Sequence, residues 1–319
     1  MTLRIATRRS ALARAQATQL GQALGVAFEL VPMATTGDLH PDRAVESFDT
    51  KGLFVDSIRQ AVLSGDCHLA VHSAKDLPSD DVPDLTVGAY PRREDPRDVL
   101  ITREGHTIGS APSLATIGTS SARRRLQVLR IRPDLQVLPI RGNIDTRLRK
   151  VADGEFDGVV VALAGLRRLY TSEESGGVGP LGLPLRAVTL EPGECLPAPA
   201  QGALAVECRS DDTATAETLS AVDDPTARVS VRAERGFQRR LGGGCLTPIG
   251  ALATVSGANL ELAGMLADPV RRRVVRQTAS GPVATPDKVA GDLAARIREL
   301  GGDIMLEHIA AQTHTPHGA

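Results

Sequence analysis

Between positions 123 and 150 the sequence carries Arg123, Arg124, Arg125, Arg130, Arg132, Arg141, Arg147, Arg149 and Lys150 against only Asp134 and Asp145. That is a net +7 over 28 residues in a chain whose formal charge is −1. Arginine presents a planar fork that matches carboxylate and phosphate geometry. Its placement matters more than its abundance. Arg123 and Arg124 follow Gly118-Thr119-Ser120-Ser121, which reads as a strand end, a hydroxyl-rich turn and the first turn of a helix. Unsatisfied N–H groups, hydroxyls and the positive end of the helix dipole converge at such a turn and make it an anion site. Cations in a first turn oppose the dipole, so two of them there call for an anion. Arg8-Arg9 before Ser10 repeats the arrangement, and Arg141-Gly142-Asn143 puts an arginine and a permissive glycine after the apolar strand Val137 to Ile140. One such pair reads equally well as a solvated helix face. Three of them point to a cleft that takes several carboxylates or phosphates.

A second group is His72-Ser73-Ala74-Lys75-Asp76-Leu77-Pro78, after the strand-like Leu69-Ala70-Val71. An imidazole, a hydroxyl, an ammonium and a carboxylate thus follow a strand, where α/β sites form. An aspartate among cations keeps its charge and can stabilise a cationic species or relay protons. The plainer alternative is a Lys75/Asp76 surface turn ended by Pro78. A third group is Gly242-Gly243-Gly244-Cys245, a thiol on a glycine-only approach that admits something bulky close to the backbone. Cys245 reads as reactive or modified, whereas Cys67, Cys195 and Cys208 have no such setting and read as inert.

The elements that must position these groups follow from periodicity and capping. Leu3 to Thr7 reads as a strand, Ser10 as the cap of a helix from Ala11 to about Leu24, and Glu29 to Met33 as a second strand. A helix opened by Lys51-Gly52 keeps Phe54, Ile58, Ala61 and Val62 on one face and ends at Gly65. The series then recurs: strand Ala115 to Gly118, a helix from about Ala122, a helix from Asn143 to Val151, an acidic turn, and the strand Val159 to Leu163. Two α/β lobes of one design are expected. Ser175 to Pro199, rich in Gly and Pro, reads as a crossing segment. A third unit from about Asp223 holds a helix through Arg228 to Arg240, strands near Ala251 and Leu260, and a last helix with Val289, Leu293, Ile297 and Leu300 on its apolar side.

Composition narrows the classes. The chain has 319 residues, 42% hydrophobic and 24% charged, which suits two or three globular domains. With two Tyr, five Phe and no Trp, the core must be built from Ala, Val, Leu and Ile, and there is little to stack nucleic-acid bases on. Nucleic acid is therefore not an expected partner. No apolar run approaches the 18 residues of a membrane helix, so no membrane partner is expected either. The N-terminus lacks a signal-peptide core, and four scattered cysteines make no disulfide framework or zinc site. A cytoplasmic protein with reduced thiols and no metal is expected.

Taken together the motifs resemble one family. Arg4-Ile5-Ala6-Thr7-Arg8, Lys51-Gly52-Leu53-Phe54, Ala70-Val71-His72-Ser73-Ala74-Lys75-Asp76, Arg93-Glu94-Asp95-Pro96-Arg97-Asp98, Gly118-Thr119-Ser120-Ser121, Arg141-Gly142-Asn143, Ala164-Gly165-Leu166, Gln201-Gly202-Ala203 and Gly243-Gly244-Cys245 occur in the order found in porphobilinogen deaminases (hydroxymethylbilane synthases). The resemblance implies an α/β fold of three domains: two lobes like those of periplasmic binding proteins around a cleft, and a small C-terminal α/β domain. Lobe 1 would take residues 1–95 plus about 200–220, lobe 2 residues 96–199, and the cofactor-attachment domain residues 221–319. It implies a dipyrromethane cofactor in thioether linkage to Cys245, which primes the head-to-tail condensation of four porphobilinogens with loss of ammonia. Hydroxymethylbilane, a precursor of porphyrins and haem, is then released by water. The partners implied are porphobilinogen and oligopyrrole intermediates, with the protein a monomer. Asp76 would be the catalytic carboxylate. Arg8, Ser10, Lys75, Thr119, Ser120, Ser121, Arg123, Arg124, Arg141, Gly142, Arg147, Arg168 and Gln201 would hold cofactor and substrate carboxylates, with Lys51 in a lid.

Two departures from the pattern stand out. Ser47 and Asp49-Thr50 replace a lysine and a glycine pair, and Tyr170 to Glu194 reads as a loop insertion. A non-catalytic bilobal anion- or solute-binding protein is the competing reading; it accounts for lobes and arginines but leaves Asp76 and Cys245 without a task.

Overall fold

The computed structural model describes residues 2–34, 55–78, 82–170, 180–242 and 247–313. Three sheets organise them. The first has the order β2-β1-β3-β10-β4, from Leu3–Arg8 (β1), Phe28–Met33 (β2), Leu69–Ser73 (β3), Leu85–Ala89 (β4) and Leu204–Arg209 (β10). Strand β1 runs parallel to β2 and β3, and β10 is antiparallel to both β3 and β4. The second has the order β7-β6-β8-β5-β9, from Asp98–Thr102 (β5), Thr116–Gly118 (β6), Gln136–Leu138 (β7), Gly158–Ala162 (β8) and Arg186–Thr189 (β9). Here β6 is parallel to β7 and β8, and β5 is antiparallel to β8 and β9. The two sheets thus share one design, and the antiparallel strand comes late in the chain in one and early in the other. The third sheet is an antiparallel meander of Ile249–Ser256 (β11), Asn259–Asp268 (β12) and Arg273–Pro282 (β13).

Helices cover both faces of the parallel strands. Ser10 caps Ala11–Leu24 (α1) by accepting from the Ala13 N–H, and Gly25 ends it at φ 66°. Helix α1 lays Ala17 and Leu20 on Leu3, Ile5, Leu69 and Val71, while Asp56–Leu63 (α2) lays Ile58, Ala61 and Val62 on Ala6 and Ala70. The alternation of strand side chains sends Ile5 and Ala6 of β1, and Leu69 and Ala70 of β3, to opposite helices, so both strands are apolar on both faces where they are buried. In the second sheet Leu100, Ile117 and Val160 pack with Val128 of Ala122–Ile131 (α3). Val99, Ile101, Val159 and Val161 pack with Leu148 and Val151 of Ile144–Ala152 (α4) and with Leu163 of Leu163–Leu169 (α5). Among the largest fully buried side chains of the described residues only Phe237 is aromatic, in keeping with the composition.

Thr213–Ser220 (α6) and Pro225–Arg240 (α7) follow β10, and the third sheet carries Pro286–Ile297 (α8) and Asp303–Thr313 (α9). The chain divides into two compact units, residues 1–94 with 202–231, and residues 95–201 with 232–319. No helix among the described residues is long and apolar enough to cross a membrane.

Two readings of the sequence need correction. Arg186–Thr189, within the presumed crossing segment and insertion, is an edge strand paired with β5. Leu300, expected on the apolar side of α8, is 42% exposed. The helix breaks before it can be buried, because Leu300 and Gly301 leave helical geometry, Gly301 at φ 91°.

Candidate functional site

In the unit of residues 1–94 and 202–231, strand β3 runs straight into a single 3₁₀ turn, Ala74–Asp76, that exposes Asp76 at the strand's C-terminal end. Asp76 lines a cleft with Arg8 and Ser10, where β1 meets α1, and with Gln16, His72 and Ser73. Gln16 and Ser73 are joined side chain to side chain at 3.0 Å. The cleft is built by two parallel strands ending side by side, each followed by a turn of polar residues, the usual place for a site in such a sheet. Lys75 is half-buried in the same turn.

Behind His72 lies a charged group absent from the sequence reading. Arg59 of α2 grips Glu207 of β10 with Nε and Nη2 at 2.9 and 2.7 Å, and His72 Nε2 lies 3.2 Å from the same carboxylate. Burial would raise the Glu207 pKa, but the adjacent His72 imidazole and the Arg59 hydrogen bonds outweigh it and hold the group at about 2. A lone glutamate inside the apolar run Leu204 to Cys208 was the available signal.

In the unit of residues 95–201 and 232–319, Ser121 caps α3 by accepting from the Arg124 N–H. The other hydroxyls of the turn shape backbone: Thr119 Oγ1 accepts from the Ser121 N–H at 3.2 Å, and Ser120 Oγ donates to Ile140 O at 2.7 Å. Ser120 thereby ties this turn to the chain just before Arg141. Arg123 and Arg124 are 5% and 8% exposed, and both turn inward to Asp98, which is fully buried. Arg123 Nη1 reaches Asp98 Oδ2 at 2.8 Å and Leu196 O at 2.6 Å. Arg124 holds Oδ1 through Nε at 3.2 Å and Nη2 at 2.8 Å, and donates Nη1 to Val160 O at 3.1 Å. Gln201, also fully buried, donates Nε2 to the same Oδ1 at 2.8 Å and to Pro96 O at 2.7 Å. The expected counter-anion of the two first-turn arginines is therefore, at least for these contacts, a residue of the chain itself.

The charge balance around Asp98 is uneven. Burial would raise its pKa, but the Arg123 and Arg124 charges outweigh that and keep the carboxyl well below the usual range. Among the described residues no carboxylate is paired with Arg141 or Arg147. Burial lowers the Arg147 pKa to about 10, and the charges of Arg124 and Arg141 push it in the same direction. Arg147, half-buried on α4, donates Nε to Gly142 O at 2.8 Å. Gly142 itself, at φ 100°, makes the turn after Arg141 that lets α4 begin there. A guanidinium that is desolvated and repelled by two others marks a place prepared for an anion. Arg168 is half-buried near the end of α5.

The structure thus gathers Arg8, Ser10 and Asp76 on one cleft, and Arg123, Arg124 and Gln201 on one buried carboxylate. Arg124, Arg141 and Arg147 share one electrostatic neighbourhood. Lys51 and Cys245 lie outside the described residues. Cys67, Cys195 and Cys208 are buried, and burial raises each thiol's pKa, that of Cys195 to about 12 with the Asp98 charge adding to it. No set of three His, Cys, Asp or Glu among the described residues is placed to hold a metal.

Comparison with known proteins gives these groups a context. Residues 3–217 match the family model described as "Porphobilinogen deaminase, dipyromethane cofactor binding domain", and residues 229–299 match its C-terminal domain. The porphobilinogen deaminase of Acidothermus cellulolyticus is 41% identical over 322 residues, 99% of this chain and 94% of that one. The Roseiflexus castenholzii enzyme of the same name is 42% identical over 96% of this chain and 98% of its own. Among solved structures, a periplasmic VFT2 domain of Bordetella pertussis BvgS aligns with TM-score 0.39 and 19% identity over 69% of this chain and 86% of that one. YhfZ from Shigella flexneri aligns with TM-score 0.34 and 18% identity, covering 73% and 88%. These structural likenesses are too distant to carry an argument, whereas the sequence matches span both units from end to end. The chain belongs to the porphobilinogen deaminase family.

Proposed function

We propose that the protein condenses four porphobilinogen molecules head to tail on a covalently held dipyrromethane, releasing ammonia and yielding hydroxymethylbilane for tetrapyrrole synthesis. The observation that carries this reading is the match to the family over nearly the full length of the chain, with Arg147 half-buried where the charges of Arg124 and Arg141 lower its pKa. Each pyrrole ring of substrate and product bears two carboxylates, so the growing chain is a polyanion that such a cluster would hold. The same observation serves to test the cofactor: a dipyrrole with its own acidic side chains supplies the anions that this cluster lacks, and the residues fit it.

In this reading Arg124, Arg141, Arg147 and Arg168 hold the carboxylates of the cofactor, with Arg8, Ser10 and Lys75 serving those of the incoming unit. Bound through Cys245, the cofactor supplies the nucleophilic pyrrole carbon on which the chain is built. Asp76 faces the cation that arises when an aminomethyl group departs as ammonia, stabilises it, and takes up the pyrrole proton lost once the new bond has formed. Thr119, Ser120 and Ser121 shape the turn that presents α3, Gly142 shapes the turn that presents Arg147, and Gln201 works through Asp98. Lys51 belongs to a lid.

The domain partition proposed is lobe 1 (1–95 with about 200–220), lobe 2 (96–199) and an attachment domain (221–319); the three separate sheets support it. The protein is read as a cytoplasmic monomer. A non-catalytic binding protein would need neither Asp76 nor Cys245. The test is the intact mass of freshly purified protein beside Cys245→Ser, followed by turnover of porphobilinogen. An added dipyrromethane on the wild type alone, with product formed, is expected. A bare chain that stays bare after incubation with porphobilinogen would overturn the reading.

A further inference from the structure

Asp98 opens β5, is fully buried, and is out of reach of any ligand. Both of its oxygens are nevertheless spent on residues of the cationic cluster. Oδ1 accepts from Arg124 Nε, Arg124 Nη2 and Gln201 Nε2, and Oδ2 accepts from the Cys195 thiol at 3.3 Å and pairs with the Arg123 charge through Nη1 at 2.8 Å. We propose that Asp98 is a positioning residue for carboxylate binding, which fixes the one edge of Arg124 that a ligand meets and sets how much positive charge it meets there. The inference rests on the function proposed above and adds a residue to it.

A guanidinium has five N–H donors in a rigid fork. On Arg124 the Nε–H and one Nη2–H go to Asp98, the second Nη2–H points to Gln201 Oε1 at 3.5 Å, and one Nη1–H goes to Val160 O. A single Nη1–H is left without an acceptor among the described residues. Arg124 can therefore offer a carboxylate one directed hydrogen bond and no fork. Among the described residues Arg147 commits only Nε, to Gly142 O, which leaves its terminal Nη pair without an acceptor among them, as a fork. The two arginines are complementary rather than redundant, and Asp98 makes them so.

Charge follows the same logic. Arg123, Arg124, Arg141 and Arg147 carry four positive charges against the one negative charge of Asp98. Without that charge Arg123 and Arg124 would face each other across a dry site, and Arg124 would lose the anchor that keeps it edge-on. Asparagine cannot substitute. Its amide has one acceptor and one donor end, so either Arg123 or the Arg124/Gln201 side would meet a donor instead of an acceptor.

The test is a timed reaction of Asp98→Asn with porphobilinogen, read by intact mass as the distribution of covalently extended protein species, with kcat and Tm measured alongside. The expected result is a stalled distribution, with more than half of the covalent population at one length, and kcat at least tenfold lower. A lower Tm with wild-type distribution and wild-type kcat per folded molecule would reduce Asp98 to a structural role and overturn the proposal. Cys195→Ala, which leaves both arginines on Asp98, should lower Tm and leave the distribution unchanged; a stall there would overturn the assignment to Asp98. Should Asp98→Asn fail to fold, Gln201→Leu removes one donor from Oδ1 and one acceptor from Arg124 and should shift the distribution at least threefold, and no shift would overturn the proposal. A wild-type protein that never gains pyrrole mass would instead sink the underlying function, an outcome distinct from all of these.

Discussion

Asp76 stands at a strand end with little packed upon it, and its substitution separates chemistry from folding. Asp76→Ala should keep the wild-type Tm and lower kcat at least 100-fold; a variant with near wild-type turnover would remove Asp76 from the reaction. The arginines divide differently. Arg147→Leu deletes a half-buried cation repelled by its arginine neighbours and one hydrogen bond to Gly142 O, so it should lower stability little while it abolishes or severely slows cofactor loading. Arg124→Leu strips Oδ1 of Asp98 of its two Arg124 hydrogen bonds. Removing one partner of a buried ion pair costs about 3–5 kcal/mol, so this variant should lose stability as well as loading. Urea titration beside intact mass measures both, and equal stabilities would contradict the geometry. At this scale the sequence exposed Asp76, Arg124 and Arg141 because each sits at or beside a punctuated strand end, and Arg147 as part of the dense run of arginines between 123 and 150. It did not expose Asp98, whose type resembles any of its acidic neighbours in Glu94-Asp95-Pro96-Arg97-Asp98. Only burial at the head of an all-buried strand sets it apart.

The elements depend on a few positions where the backbone must turn sharply. Gly142 adopts φ 100°, and a Cβ there would lie 2.8 Å from Thr146 Cβ. Gly142→Ala should destabilise the protein by about 1–2 kcal/mol through positive-φ strain and this contact. It should also weaken cofactor loading, since Arg147 Nε is held by Gly142 O. Thermal unfolding and intact mass check the two effects, and a fully stable, fully loaded variant would contradict them. Helices α1, α3 and α4 were legible because caps and 3.6-residue spacing are local signals. The strands β4, β5 and β9 were not. Strand β9 lies at a sheet edge with half its residues exposed, so its sequence has no apolar run, and its pairing with β5 joins segments distant in the chain. Leu300 misled for the opposite reason, since apolar spacing ran on to the residue directly before Gly301, where the backbone has already left the helix.

For the molecule as a whole, buried carboxylates couple stability to pH. Glu207 has its pKa held at about 2 by His72 and Arg59 against the opposing effect of burial, from an ordinary 4.5. A depressed carboxylate contributes stability that is complete above its unfolded pKa and lost as pH falls towards the folded one. The Glu207 contribution, about 3 kcal/mol by linkage, should be present above pH about 4.5 and drain away between there and about 2. Glu207→Gln should flatten that part of the stability curve and lower stability at neutral pH, as measured by urea unfolding across the range; an unchanged curve would argue against the triad. Arg59, His72 and Glu207 come from α2, β3 and β10, and no spacing rule connects them. The sequence by itself determined the α/β class, the aliphatic core, the capped turns and the family, because these reside in local periodicity and in ordered motifs. Only the tertiary structure decided that β10, some 130 residues downstream of β3, pairs with it in the first sheet, and that Arg123 and Arg124 answer to an internal carboxylate. Both are long-range pairings selected by burial: a charge taken out of water must find its partner wherever the fold brings one, and sequence distance does not record where that is.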